Sequence, residues 1–197
     1  KAKEYALLNC LYEHQNTIVK KEVLFDDSGA NHYITASIGI ARFPEDASTA
    51  SEMIKCSDIA MYNAKASGKN TICCFNKKYE EELLRKTSIE ALIKQYLTNQ
   101  SFMFAYQPQY SSGEKKLRGF ETLLRIRDED RKMASTSELI SVAEKSDLIF
   151  QIDEYVLRHA LTEFRETALR YSDITMSVNV SAKHISQKGF VMIIERT

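Results

Sequence analysis

The sequence has little glycine and proline, no excess charge of either sign and no long apolar run. Only 6 Gly and 2 Pro occur in 197 residues, so we expect most of the chain to form regular secondary structure. The 27 basic and 27 acidic residues cancel, which argues against a nucleic acid polymer as partner and against a disordered acidic tail. No apolar run approaches the roughly 20 residues that a membrane-spanning helix needs. With 44% hydrophobic and 27% charged residues, the composition is that of a globular protein.

The 4 cysteines form no Cys-x-x-Cys pair, which removes the usual pattern for zinc or redox chemistry. Cys10, Cys56, Cys73 and Cys74 are therefore expected to be reduced thiols in a cytoplasmic chain, although unseen upstream segments could anchor a longer parent protein in a membrane. The sequence opens inside a helical pattern, "KAKEYALLNC", and stops within an apolar run, "GFVMIIERT". We therefore expect a fragment that is cut at both ends.

Residues 1–77 have the pattern of an α/β unit. A helix is predicted over 1–14, followed by strands in "NTIVKKEVLF" and "NHYITASIGIARF", the second ending at Pro44. A helix is predicted from about residue 48, with Ile54 and Ile59 on its apolar side and Gly68 as its stop. The segment "NTICCF" predicts a short strand after it.

The stretch "KKYEEELLRKTSIEALIKQYLTNQ", residues 77–100, predicts one long helix. Its acidic start complements the positive end of the helix dipole. We interpret 78–100 as a connector, which either is simply solvated or transmits movement between two domains.

A different order of elements follows in residues 101–197. Strands are predicted in "FMFAYQPQY", ended by Pro108, and in "LRGFETLLRI"; two helices, "STSELISVAEKSDL" and "FQIDEYVLRHALTEFRETALRY", lead to a third strand, "ITMSVNVSA". Strand–strand–helix–helix–strand predicts the start of a β/α barrel whose first pair of strands is antiparallel.

Polar residues on these strands point to a site. Glu121 and Arg125 share one face of a strand but lie roughly 13 Å apart, so they cannot pair with each other. If the strands are neighbours, Gln107 and Asn179 would converge with them at one mouth of the barrel. Carboxylate and amide oxygens suit Mg²⁺ or Mn²⁺, and a guanidinium suits a phosphate. On spacing alone, an edge strand with a solvated Glu and Arg remains the alternative.

Two further residues have ordinary interpretations. Asp153 lies near a helix start, which favours a capping or dipole role. His184 follows Asn179 by five residues and is interpreted as loop decoration or as a ligand contact. No Ser/His/Asp or Cys/His set for nucleophilic catalysis is found, so no catalytic residue is assigned beyond the candidate metal ligands.

The segments "YQPQY", "GFETLLRIR", "ISVAEKSDLI", "QIDEYVL" and "MSVNVSA" resemble the opening half of an EAL domain. EAL domains are phosphodiesterases, or related receptors, for the second messenger cyclic di-GMP. The resemblance implies that Glu121 and Asn179 bind metal and that Gln107 and Arg125 contact the dinucleotide. Thr122 stands where the family's namesake triplet has alanine, on the face of the strand opposite Glu121.

Residues 1–77 resemble the closing half of a GGDEF domain, the fold of diguanylate cyclases. The resemblance rests on "SIG", "DIAMYNAK" and "GKN". It implies that Lys65 approaches nucleotide phosphates and that GTP is a partner, whereas Lys69 stands where arginine is frequent. The Gly-Gly-Asp-Glu-Phe string itself is missing from the sequence.

Together the two resemblances imply an α/β chain in which a partial GGDEF sandwich, 1–77, is joined by the helix 78–100 to a partial EAL barrel, 101–197. The complete protein is expected to be a cyclic di-GMP phosphodiesterase that yields linear pGpG, with a regulatory GGDEF domain. A receptor or interaction module, and a cyclase, are the alternatives, and a homodimer is among the expected assemblies. Because two ligands cannot hold two metal ions, the chain by itself is expected to be inactive.

Overall fold

The computed structural model describes residues 36–113, 116–171 and 173–196. The chain divides into two compact units, Lys1–Glu81 and Glu82–Thr197. The helix predicted over 1–14 and the strand predicted over 16–25 lie outside the described residues.

The described part of the first unit is a β-α-β arrangement. Strand β1, Ile38–Ile40, pairs in parallel with β2, Ile72–Cys74, and helix α1, Ala50–Ala66, lies between them in the chain. Gly39 permits β1 to lie close against α1, because a Cβ at this position would be 2.1 Å from the carbonyl oxygen of Ser57.

Helix α1 has the start and stop that the sequence predicts. Thr49 caps its first turn, and a reciprocal hydrogen bond from the Thr49 backbone to Glu52 completes a capping box. Gly68 follows the last turn with φ +107°, a conformation that glycine adopts without strain. The predicted burial was wrong for Ile54, which is exposed, whereas Ile59 is buried.

Helix α2 runs over Lys77–Asn99, in agreement with the predicted long helix. The boundary between the two units falls within its sequence, after Glu81. Its buried residues all belong to the second unit: Ile89, Leu92, Ile93 and Tyr96.

Three strands form the sheet of the second unit, in the order β3-β4-β5. Strands β3, Met103–Tyr110, and β4, Leu117–Arg125, are antiparallel, and β5, Thr175–Val178, joins β4 in parallel. The predicted antiparallel first pair is therefore confirmed. The prediction that Pro108 ends the first strand was wrong, because β3 continues to Tyr110. A proline is tolerated in β3 because this strand has only one neighbour in the described sheet, and a missing N–H on its free side costs no ladder bond.

Helices α3, Thr136–Lys145, and α4, Leu148–Arg170, connect β4 to β5 as predicted. A short 3₁₀ turn, Asp130–Lys132, precedes α3, and helices α5, Ala182–Ile185, and α6, Phe190–Arg196, follow β5. The core of this unit packs α2 against α3 and α4, with Ile93, Leu139 and Ile152 almost fully buried. No helix in the described ranges has the length and apolar character needed to cross a bilayer. The fold class is mixed α/β, as predicted.

Candidate functional site

The register of the sheet places polar residues of three strands in one row. Gln107 of β3 lies opposite Glu121 of β4, and Glu121 lies opposite Ser177 of β5. Residues that are paired across neighbouring strands point to the same face of a sheet. Gln107, Glu121 and Ser177 therefore share one face, at neighbouring positions.

Asn179 joins this row through a direct contact with Glu121. Its Nδ2 lies 2.7 Å from Oε1 of Glu121 and donates a hydrogen bond to it. The prediction placed Asn179 within a strand reaching residue 182, but β5 ends at Val178 and Asn179 is the first residue beyond it. The side chain therefore lies at the carboxyl end of β5, where parallel strands of barrels carry their sites.

The donor types of this pair fit a divalent cation. A carboxylate and a carboxamide offer the hard oxygens that Mg²⁺ and Mn²⁺ prefer. Within the part of the chain that the structure describes, no group of three or more His, Cys, Asp and Glu residues could hold a metal ion. Glu121 and Asn179 alone supply too few oxygens to complete the coordination of such a cation.

Arg125 lies at the end of β4 and borders a cavity of about 860 Å³ that Asn179 also lines. The guanidinium Nη1 donates a hydrogen bond of 2.8 Å to the carbonyl oxygen of Leu124, so the side chain turns back along its own strand. Arg131 and the first turn of α3, including Ser135, line the same cavity. The lining therefore contains two guanidinium groups, of which Arg131 is paired with Asp128, and the carboxyl groups of Glu144 and Asp153; a guanidinium can bind a phosphate in a bidentate manner.

Thr122 also lines the cavity and is 2% exposed. Strand alternation places its side chain on the face opposite Glu121, as expected from the sequence. Its Oγ1 is buried and has no hydrogen-bond partner among the residues that the structure describes. Thr122 thus places a buried hydroxyl group at the wall of the cavity, and no described residue forms a hydrogen bond with it.

For Gln107 and Lys65 the structure gives the position in a strand or helix and the exposure of the side chain. Gln107 is exposed, and its position opposite Glu121 is fixed by strand pairing. The neighbouring Gln109, which the sequence reasoning missed, accepts a hydrogen bond of 3.4 Å from Oγ of Ser177. Gln109 lies two residues after Gln107 and therefore on the same face of β3, and this spacing could have identified it from the sequence. Lys65 lies exposed in the last turn of α1, in the first unit.

The sequence reasoning also missed the environment of Asp153 and His184. Asp153 is an interior residue of α4 and is buried, so its expected role as a helix cap was wrong. His184 is buried too, at 2% exposure, and is not loop decoration. Its Nδ1 lies 3.2 Å from Oδ2 of Asp153. Burial raises the pKa of the Asp153 carboxyl group, while hydrogen bonds from Ser181 and His184 act in the opposite direction.

Comparison with protein families matches both parts of the chain. The family described as EAL domain matches residues 90–197. The family described as diguanylate cyclase, GGDEF domain, matches residues 10–71.

Several curated bacterial proteins are similar to the chain. It is 35% identical over 173 residues to the biofilm architecture maintenance protein MbaA of Vibrio cholerae, which covers 87% of the chain and 22% of MbaA. It is 31% identical over 159 residues to the bifunctional diguanylate cyclase/cyclic di-GMP phosphodiesterase MucR of Pseudomonas aeruginosa, covering 80% of the chain and 23% of MucR. The chain thus spans less than a quarter of either relative.

Solved structures show the same fold. The phosphodiesterase part of PaMucR in complex with c-di-GMP superposes with a TM-score of 0.51 at 26% identity, covering 55% of the chain and 44% of that structure. The EAL enzyme Bd1971, in its form with cAMP and cyclic-di-GMP, gives a TM-score of 0.55 at 22% identity, covering 77% of the chain and 40% of that structure.

Proposed function

Because the chain belongs to the EAL domain family and carries part of a GGDEF domain ahead of it, we propose that the complete protein hydrolyses cyclic di-GMP to linear pGpG. The chain is similar to MucR, whose name includes cyclic di-GMP phosphodiesterase activity, and to a MucR structure that contains c-di-GMP. The chain spans only part of these relatives, so the activity is assigned to the whole protein and not to the chain alone.

The observation that carries the proposal is the contact between Glu121, in the middle of β4, and Asn179, directly after the carboxyl end of β5. These two residues would hold a divalent cation, Mg²⁺ or Mn²⁺, together with ligands from outside the described residues. When bound, such a cation polarises a phosphoryl oxygen and lowers the pKa of a coordinated water. Glu121 and Asn179 are suited to that role because the two side chains are in direct contact and each carries a hard oxygen.

Arg125 and Gln107 would bind and orient the dinucleotide. Arg125 is half-buried at the wall of the cavity, where a guanidinium can make paired hydrogen bonds to one phosphate group. Gln107 is exposed on the same face as Glu121, and its carboxamide can both donate and accept hydrogen bonds. The half-buried guanidinium would fix the scissile phosphate, while the amide would contact a neighbouring part of the ligand.

The GGDEF part has a regulatory role in this proposal, with Lys65 near the phosphates of GTP. The segment 78–100 would connect it to the EAL part, and the complete protein would act as a homodimer in the cytoplasm, where the nucleotide precursor is available. These assignments follow from the family and from the sequence.

The test uses the full-length protein with cyclic di-GMP and either Mg²⁺ or Mn²⁺, and it measures the formation of pGpG. Loss of one metal ligand should reduce the turnover number by about 100-fold or more, so Glu121→Gln is expected to be nearly inactive. Glu154→Gln is the matched control, because this carboxylate lies on the outer surface of α4 in an ion pair with Arg158. Comparing the two cations in the same assay identifies the preferred metal.

Three results would change the proposal. Turnover that survives Glu121→Gln and Glu121→Ala would remove the metal-binding role of this residue. Tight binding of cyclic di-GMP without turnover, in metal-saturated protein, would make the protein a receptor. Conversion of GTP into cyclic di-GMP as the main reaction would make it a cyclase.

A further inference from the structure

The buried carboxylate of Asp153 in helix α4 forms hydrogen bonds with the segment that follows Asn179. Oδ2 of Asp153 accepts a hydrogen bond of 3.1 Å from the backbone N–H of Ser181. The same oxygen lies 3.2 Å from Nδ1 of His184, which donates in the tautomer that carries its proton on this nitrogen. Asp153 is 5% exposed and His184 is 2% exposed, so both hydrogen bonds are shielded from water. A shielded carboxylate with two N–H donors strongly disfavours movement of either donor.

The ring of His184 is held in one orientation by two aromatic neighbours. The rings of Phe150 and Phe190 approach it edge-on, with centroid distances of 5.1 Å and 4.9 Å and interplanar angles of 64°. Such packing leaves the imidazole little freedom to rotate. Its Nδ1 is therefore kept directed at Asp153.

A third contact, which is exposed and made by Lys183, also holds the same segment. Nζ of Lys183 donates hydrogen bonds to the carbonyl oxygen of Glu144, at 3.3 Å, and to Oδ1 of Asp147, at 3.1 Å. These groups lie at the junction between α3 and α4 and are exposed, so this contact is weaker than the buried one. The buried and exposed contacts together hold residues 181–184 against both helices.

Asn179 lies two residues before Ser181, and its carboxamide is the group that meets Glu121 at 2.7 Å. With β5 fixing the chain up to Val178 and Asp153 fixing it at Ser181, only Asn179 and Val180 lie between two held points. Two residues between fixed ends leave the backbone few conformations. The direction of the Asn179 side chain therefore depends on the Asp153 contact.

We infer that Asp153 and His184 are positioning residues, whose buried hydrogen bonds to each other and to Ser181 hold the Asn179 carboxamide at the cation site. The inference rests on the proposed function, since it concerns the metal ligand assigned there. Neither residue is assigned as a metal ligand, and both act through Asn179; Asp153 also lines the cavity that Arg125 borders. Groups that orient a metal ligand commonly affect metal affinity about 10-fold to 100-fold when they are lost.

Two substitutions of His184 separate the hydrogen bond from the packing. His184→Phe keeps an aromatic ring between Phe150 and Phe190 but removes the Nδ1 donor. His184→Asn loses the ring but keeps a donor nitrogen at the same distance along the side chain. His159→Phe is the matched control, because His159 lies six residues after Asp153 in α4 and stacks on Phe104 of β3 with a centroid distance of 3.8 Å.

The measurement is a titration of the full-length protein with Mn²⁺ alone, in which electron paramagnetic resonance quantifies the free ion. His184→Phe is expected to weaken Mn²⁺ binding by about 10-fold, and His184→Asn by no more than about 3-fold, although the Asn variant should have the lower melting temperature. His159→Phe should bind Mn²⁺ as the parent protein does. Asp153→Asn, which preserves the shape of the side chain, is expected to weaken binding as His184→Phe does, and it serves if His184→Phe fails to fold.

Two results would overturn the inference: unchanged Mn²⁺ affinity in folded His184→Phe and Asp153→Asn, or equal losses of affinity in His184→Phe and His184→Asn. If the parent protein binds no Mn²⁺ and does not hydrolyse cyclic di-GMP, the proposed function fails separately. The positioning role is then tested by the hydrogen-exchange rate of the Ser181 backbone amide and by the NMR signal of the Asn179 side-chain amide. Both should be altered by His184→Phe and preserved in His184→Asn, and unchanged signals in both variants would refute it.

Discussion

Tyr96 of helix α2 donates a hydrogen bond from its phenol to the carboxylate of Asp130, in the loop that follows β4. The same oxygen accepts a hydrogen bond of 2.9 Å from the backbone N–H of Arg127. Tyr96 is 2% exposed, and its ring stacks on Phe102 at 4.8 Å. One buried hydroxyl group thus ties α2 to the segment that follows Arg125, the last residue of β4.

Tyr96→Phe should destabilise the second unit by about 1–3 kcal/mol, because the backbone N–H of Arg127 loses its acceptor and Asp130 loses its donor. The measurement is the free energy of unfolding in urea. Tyr110→Phe is the control, since Tyr110 is 61% exposed and its change should lie within about 0.5 kcal/mol of zero. Equal effects of the two substitutions would show that the Tyr96 hydroxyl contributes nothing specific.

A second link between α2 and the following helices depends on pH. Nε and Nη2 of Arg85 donate hydrogen bonds of 2.6 Å and 2.8 Å to the two carboxylate oxygens of Glu138 in α3. The hydrogen bond from Arg85 lowers the pKa of Glu138 below its usual value of 4.5. A lowered folded-state pKa means that this stabilisation is complete above the unfolded-state pKa and is lost as the pH falls through the folded-state value.

Arg85→Met should therefore lower the melting temperature at pH 7, by no more than about 3 °C for a largely solvated pair, and have a smaller effect at pH 3. Lys145→Met, which removes a positive charge from the exposed surface of α3, is the control. A difference between Arg85→Met and the parent protein that is as large at pH 3 as at pH 7 would contradict the ionic origin of the effect.

The sequence predicted those features that depend on neighbouring residues. The helix start near residue 48 and the stop at Gly68 agree with α1, and the alternation along β4 places Glu121 and Thr122 on opposite faces. It could not predict that Pro108 lies inside β3, because this depends on which strand lies beside it. The pairing of His184 with Asp153 spans 31 residues and is produced only by packing of the chain after β5 onto α4.

Gly119 is required by the close approach of β4 and β5. A Cβ at this position would lie 2.2 Å from the carbonyl oxygen of Thr175, which is the paired residue of β5. Gly119→Ala should therefore force the strands apart and cost about 1–3 kcal/mol of stability, with faster hydrogen exchange in β5. Gly113→Ala is the control, because a Cβ there meets nothing within 4 Å. Similar exchange rates in the two variants would show that β5 adapts without separating from β4.

Thr122→Val should leave the stability unchanged or raise it by up to about 1 kcal/mol, because the buried Oγ1 has no partner to lose. Thr122→Ala, which removes a methyl group as well, should be less stable than Thr122→Val by about 1 kcal/mol. Urea unfolding of both variants measures these changes. A marked loss of stability in Thr122→Val would indicate that the hydroxyl group does have a partner, such as a bound water in the cavity.

Arg125→Lys tests whether the half-buried guanidinium recognises a phosphate by its shape or only by its charge. Lysine keeps the positive charge but cannot form two parallel hydrogen bonds, so the dissociation constant for cyclic di-GMP should rise about 10-fold. Calorimetry in the presence of EDTA measures binding while hydrolysis is prevented. Arg118→Lys, an exposed position near the start of the same strand, is the control and should bind as the parent protein does. If Arg125→Lys binds equally well, the guanidinium acts only as a charge at the cavity wall, and a decrease of affinity in Arg118→Lys would place the ligand at the other end of β4.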